Sequence, residues 1–173
     1  MDKKALAREI YQISNLQGNF TLRSQQQATE YFDKYLFEAQ PKLLSEITRQ
    51  LIPLIPENTD ALAGLEMGGI PLATALSLQT DIPMLFVRKE AKTYGTCKLA
   101  EGGEVLGKHL LIIEDVVTSG GAIIDAVRQL RKLGATIDRA LCVIDREQSG
   151  VKNLADIGIK LIPLFTISYL KSA

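Results

Sequence analysis

Thirteen residues, Leu110-Leu-Ile-Ile-Glu-Asp-Val-Val-Thr-Ser-Gly-Gly-Ala122, hold the densest chemistry in the chain. Four bulky aliphatics run into two adjacent acids, Glu114 and Asp115, and then into hydroxyl and glycine residues. A buried strand ending in acids and turning into a helix places them at the carboxyl end of a parallel sheet, where such sheets bind ligands. The turn Val117 to Gly121 offers backbone N–H groups, the hydroxyls of Thr118 and Ser119, and a helix N-terminus. These are the ingredients of a phosphate cradle, and Gly120 and Gly121 let the chain approach an anion closely. Two carboxylates would repel a phosphate set directly on them; they suit ribose hydroxyls, a magnesium ion, or both. The combination predicts a ribose 5-phosphate grip, with hydroxyls on the acids and phosphate on the turn. It is neither a Walker loop nor G-x-G-x-x-G. Acids that merely cap a strand–turn–helix junction would account for Glu114 and Asp115 alone, but not for the whole string.

The elements that must position this string follow from hydrophobic spacing. Leu6, Ile10 and Ile13 predict a short N-terminal helix, and Leu43, Leu44, Ile47 and Leu51 a second one from Pro41. Phe20 to Arg23 and the aromatic alternation from Tyr31 to Phe37 read as strands. Further on, apolar runs at Ala61–Leu65, Pro83–Val87, Leu110–Ile113, Ile137–Ile144 and Leu161–Phe165 alternate with helical stretches at Pro71–Leu78 and Ala122–Leu133. Gly68-Gly69 reads as a turn before the first of these helices. Such alternation predicts βαβ units, hence an α/β fold with a parallel sheet covered on both faces. The first 40 or so residues break the pattern and are expected to form a small hood over one end of the sheet. Residues 88 to 107 lack a clear pattern, and so long a loop in a compact domain is usually functional or mobile.

Composition narrows the function classes. With 173 residues the chain is the size of one domain. Twenty Lys and Arg balance twenty Asp and Glu, which argues against nucleic-acid binding through bulk charge and against a polybasic membrane-surface protein. Two cysteines, Cys97 and Cys142, and one histidine, His109, make neither a disulfide framework nor a zinc site. Reduced thiols and a cytoplasmic location are expected. No apolar stretch is long enough to span a bilayer. The charged N-terminus reads as an amphipathic helix rather than a secretory signal.

The string of thirteen resembles the phosphoribosyl diphosphate (PRPP) signature of the type I phosphoribosyltransferases. Other segments are similar to the orotate phosphoribosyltransferases in particular: Phe20-Thr-Leu-Arg-Ser24 with Tyr31-Phe32-Asp33, Gly64 to Ala73, Val87 to Gly95 with Glu101-Gly102, and Val143 to Gly150. Together they cover about residues 18 to 150. The resemblance implies a Rossmann-like core with a hood, Mg2+-dependent transfer of a ribose 5-phosphate group, and a homodimer whose mobile loop is shared across subunits. Glu114, Asp115, Val116, Val117, Thr118, Ser119, Gly120, Gly121 and Ala122 would bind the ribose and 5-phosphate, with Asp115 helping to poise the reaction. Lys89 would stabilise the diphosphate and the transition state, and Arg88, Lys92, Tyr94, Gly68 and Gly69 would bind diphosphate. Arg146, Thr118, Arg23, Tyr31 and Phe32 would receive orotate, Arg146 taking its carboxylate. The Mg2+ would be held mainly by PRPP, with help from Glu114 and Asp115.

The chain departs from that family in having Gln25 after Ser24, Tyr94 for a frequent His, and Gly68 for a Lys common in some branches. Two alternatives remain at this level. One is the same transfer to a purine base; the other is a non-catalytic PRPP-sensing regulator, disfavoured by the neutral charge balance and the intact Arg88-Lys89 pair.

Overall fold

The computed structural model describes residues 1–21, 25–91 and 98–173. Arg23, Lys92, Tyr94 and Cys97 therefore lie outside the described residues.

Five parallel strands form the framework: β3 (Ala61–Leu65), β4 (Met84–Val87), β6 (Leu110–Val117), β7 (Arg139–Asp145) and β8 (Lys160–Thr166). A two-residue strand, β5 (Ala100–Glu101), adds antiparallel to β4 at one edge, inside the stretch that showed no pattern in sequence. The sheet order is β5-β4-β3-β6-β7-β8. The chain winds outward from β3 to β4, then returns beside β3 and winds the other way. The reversal opens a crevice beyond the carboxyl ends of β3 and β6, the place where open α/β sheets bind ligands.

Strand side chains alternate between faces, and here both faces are covered. Leu110 and Ile112 of β6 pack with Ile123, Val127 and Leu130 of α5 (Gly121–Lys132). Leu111 and Ile113 face the other way, toward α1 (Lys3–Ser14), α3 (Pro41–Leu51) and α4 (Glu66–Thr80). Fully burying side chains of this size contributes about 1.5–3 kcal/mol each, so the register of β6 is fixed strongly.

The N-terminal segment divides between two roles. Leu6, Ala7 and Ile10 of α1 are buried in the helix layer on the sheet, while β1 (Asn15–Thr21) and β2 (Gln27–Phe32) form a separate antiparallel pair. The strand expected from Tyr31 to Phe37 stops at Phe32. Asp33 then caps a five-residue helix, α2 (Lys34–Glu38), its carboxylate accepting from the Tyr35 N–H at 3.1 Å. The aromatic alternation across these residues is a coincidence of two elements.

The second difference concerns Gly68-Gly69. They are not a turn: α4 starts at Glu66, so both lie in its first turn, and Pro71 sits inside the helix. The reason is proximity. A Cβ on Gly69 would stand 2.1 Å from the Ile113 carbonyl oxygen, and one on Gly68 would stand 2.0 Å from Asp115 Oδ2. The helix can lie against the end of β6 only with glycine at both positions.

After β7, helix α6 (Gly150–Ala155) packs its first residue against the cradle turn, and α7 (Ile167–Ser172) closes the chain.

Candidate active site

The alternation that orders the core continues through the acids. Glu114 follows Leu110 and Ile112 and turns to the α5 side, whereas Asp115 follows Leu111 and Ile113 and turns to the opposite layer. Glu114 is half-buried and lines two neighbouring cavities. One, of about 180 Å³, is walled by Val116 to Ile123. The other, of about 320 Å³, is walled by Leu65, Glu66, Val87, Arg88, Lys89, Ala122, Asp125 and Ala126.

The smaller cavity is the turn read in sequence as a phosphate cradle. Thr118 and Ser119 are exposed, and Gly120 takes a left-handed φ of 77° that aims the chain into α5. No side chain caps α5, so the N–H groups of its first turn point at the cavity with the helix dipole behind them. This geometry suits an anion.

The larger cavity joins that cradle to the cationic segment after β4. Arg88 and Lys89 are both exposed at its mouth. The Lys89 backbone is held on both sides: its N–H donates to Glu66 Oε1 at 2.5 Å, and its carbonyl accepts from Gln129 Nε2 at 3.4 Å. Glu66 has a left-handed φ of 48°, a costly conformation for a residue with a side chain. Arg88 N–H donates to the Leu99 carbonyl. One cavity thus brings together the acid Glu114, the cradle residue Ala122 and the cations Arg88 and Lys89.

Asp115 sits behind this cavity. Its Oδ1 accepts from Val116 N–H at 2.5 Å, and Lys34 Nζ lies 2.5 Å from its Oδ2. Burial works against the Asp115 charge, but its neighbours Glu114, Lys34 and Glu38 outweigh it and hold the carboxyl below its usual range. Burial pushes the Glu114 carboxyl well up, with the Asp115 charge adding to it. Burial, then Asp115, pushes Glu38 up to about 9. Burial works against the Lys34 charge as well, but its bond to Asp115 prevails and raises it.

Arg146, Tyr31 and Phe32 are the described candidates that remain. Arg146 is half-buried just past β7, and its N–H donates to the Val117 carbonyl at 2.9 Å, which places it beside Thr118. Tyr31 is 44% exposed and its ring packs on Phe20, centroids 5.5 Å apart. Phe32 packs against the helix-side core. Neither aromatic lines the two cavities that share Glu114. Sequence reasoning missed Lys34, Glu38, Glu66, Asp125 and Gln129. A helical signal for the first two was present in the capping residue Asp33 and the i,i+4 spacing of Lys34 and Glu38. The others carry no local mark.

Fold, cradle and cationic mouth together define a protein that binds a phosphorylated sugar, and a family model described as the phosphoribosyl transferase domain matches residues 28–169. The chain is 54% identical over 168 residues to an orotate phosphoribosyltransferase of Nocardioides sp., covering 97% of this chain and 94% of that protein. It is 39% identical to the orotate phosphoribosyltransferase of Pyrococcus horikoshii, over 90% and 86% of the two chains. The chain belongs to the orotate phosphoribosyltransferase family. Among solved structures, orotate phosphoribosyltransferase of Mycobacterium tuberculosis superimposes with a TM-score of 0.86 at 27% identity, covering 98% of this chain and 99% of that one. The Aeropyrum pernix enzyme does so with 0.82 at 26%, covering 96% of each.

Proposed function

We propose that the chain transfers the 5-phosphoribosyl group of PRPP to orotate, giving orotidine 5′-phosphate and diphosphate, as a step of pyrimidine synthesis. The observation that carries this is Glu114, which faces the anion cradle and the cationic cleft at once. A ribose seated on it would reach the cradle with its 5-phosphate and Lys89 with its diphosphate.

Transfer breaks the C1–O bond with its electron pair leaving on diphosphate, and forms the bond from C1 to the orotate nitrogen, which sheds its proton. Positive charge builds on the ribose and negative charge on the leaving group. In our reading Glu114 and Asp115 receive the ribose hydroxyls, and residues 116–122 bind the 5-phosphate. Lys89 neutralises the departing diphosphate, assisted by Arg88, Lys92, Tyr94 and the Gly68–Gly69 backbone. Arg146 takes the orotate carboxylate through a charged, bidentate fork, with Thr118, Arg23, Tyr31 and Phe32 around the ring. Residues 1–40 contribute the hood of a single domain, and residues 88–107 act as a lid that excludes water, reaching into a second subunit's site.

Mg2+ fits this donor set in a limited way. Among the described residues no cluster of three His, Cys, Asp or Glu could hold a metal. One Glu114 oxygen, Oε1, accepts from Asp115 N–H, and both Asp115 oxygens are engaged. Mg2+ is commonly bound by one or two carboxylates together with substrate phosphates, so Glu114 would be the chain's own ligand beside the oxygens of PRPP. The ion would supply charge neutralisation at the diphosphate.

Among the described residues no helix is long and apolar enough to cross a membrane, and we place the protein in the cytoplasm, with no nucleic-acid partner. The test is loss of orotate absorbance in the presence of PRPP and Mg2+. Turnover of hypoxanthine or adenine but not orotate would overturn the assignment of base. PRPP binding without any turnover would favour the regulator.

A further inference from the structure

Three stretches far apart in sequence meet at one carboxylate. Asp115 comes from the end of β6, Gly68 from the first turn of α4, and Lys34 from the first residue of α2. The Asp115 side chain is fully buried, and that of Lys34 is 31% exposed. The Lys34 ammonium also lies 5.1 Å from the Tyr35 ring centroid, so it is seated over its neighbour as well as on the acid. Its backbone is fixed at both ends of α2. Asp33 N–H donates to the Ser14 carbonyl at the end of α1, and Phe37 and Glu38 are buried. Glu38 adds a third acid, and its Oε1 has no hydrogen-bond partner among the described residues.

We propose that Lys34 is a positioning residue for the ribose end of the site: its ammonium, delivered by α2, holds the buried Asp115 carboxylate in place. The inference rests on reading the cleft as a PRPP site. A buried carboxylate that loses its partner cation is costly, because little water is there to take the partner's place. Strand alternation sends Glu114 and Asp115 to opposite faces of β6, and the ion pair with Lys34 fixes Asp115 on its own face, so that each carboxylate presents its own oxygens to one sugar. Gly68 is a second wall at the same oxygen, since even a methyl group there would overlap Asp115 Oδ2. Remove the ammonium and the short Asp115 side chain swings toward that wall or toward the vacated space. A displacement near 1 Å is enough to matter in a site of this kind.

The alternative is an ion pair that only ties the hood helix to the core. It would affect stability and leave the PRPP affinity of the folded protein unchanged. The test uses Lys34→Met, Lys34→Arg, Asp115→Asn and the Lys34→Met/Asp115→Asn double variant. PRPP binding is measured by calorimetry without base, and KM and kcat by orotate consumption. Lys34→Met is expected to weaken PRPP binding by about 10-fold or more with the orotate KM changed less than about threefold. Lys34→Arg should recover binding to within about threefold, because it keeps the charge. In the Asp115→Asn background the same Lys34→Met change should cost less than about twofold, because its partner is gone.

Unchanged PRPP binding in folded Lys34→Met would overturn the proposal. So would an Asp115→Asn protein that binds PRPP normally. Full multiplication of the two penalties would overturn it too, and would instead make Lys34 a direct substrate contact. Where Lys34→Met does not fold, Lys34→Gln takes its place in every arm. Since calorimetry needs no base, failure of orotate as substrate would leave this test standing.

Discussion

Replacing Gly68 by alanine tests the site by crowding Asp115 while leaving every charged side chain in the sequence. The added Cβ would lie 2.0 Å from Asp115 Oδ2 and 2.5 Å from its Cγ. Ordinary contact begins at 3.4 Å, so the carboxylate must retreat by about 1.4 Å unless the helix gives instead. Overpacking of this kind costs about 1–3 kcal/mol. Alanine in a helix regains up to about 1 kcal/mol over glycine. The net loss of stability is then about 0–2 kcal/mol, or a fall in Tm of less than about 8 °C for a chain of this size. Catalysis should suffer more, because a misplacement of about 1 Å costs about 100-fold, equivalent to about 2.7 kcal/mol of transition-state stabilisation. The assay is kcat/KM for PRPP by orotate absorbance, beside a thermal melt. Gly69→Ala is the control: its Cβ would meet the Ile113 carbonyl at 2.1 Å, so a strand must move, and soluble folded protein should be lost first. A Gly68→Ala enzyme that keeps kcat/KM within about threefold would refute the claim that Asp115 cannot yield without harm.

Lys89→Ala should lower kcat far more than it weakens PRPP binding, since its contact strengthens as the diphosphate leaves; equal kcat in the variant would remove Lys89 from the mechanism. If the lid works across a dimer, mixing Lys89→Ala with Asp115→Asn subunits should restore activity, and verified mixed dimers without recovery would place the lid in its own subunit's site. Glu38 carries a pH signature. Its carboxyl is raised from 4.5 to about 9 in the folded chain, so the folded form binds its proton more tightly than the unfolded form does. The stability this contributes is present below pH 4.5 and is lost as pH rises toward 9. Glu38→Gln, which has no proton to lose, should therefore gain about 1–2 kcal/mol on wild type between pH 5 and pH 8, after allowance for solvent screening. Parallel Tm differences at the two pH values would count against it.

What the sequence made legible depended on range. α1, α3 and the run into Glu114 and Asp115 were readable because their signals are local: helical spacing at Leu6 and Ile10, aliphatics before acids at the end of β6. The short helix α2 escaped because five residues hold too little of the helical period to compete with aromatics at alternate positions. Gly68 and Gly69 misled for another reason. Glycine marks either a turn or a close approach of two backbones, and only the distance to Ile113 and Asp115, over 40 residues away, distinguishes them. The Lys34 partner of Asp115 was invisible on the same ground, as was the hold of Glu66 and Gln129 on Lys89.

The division of Glu114 and Asp115 between two layers has a consequence for how this chain can change over time. A single residue inserted or deleted within β6 upstream of the acids would exchange them, sending the glutamate to Lys34 and the aspartate to the α5 side. Side chains of different reach would then stand in each other's places while every residue type was retained. Strand length is therefore part of the recognition of the sugar. Changing the count of residues from Leu110 to Glu114 by one would alter the site as surely as replacing an acid.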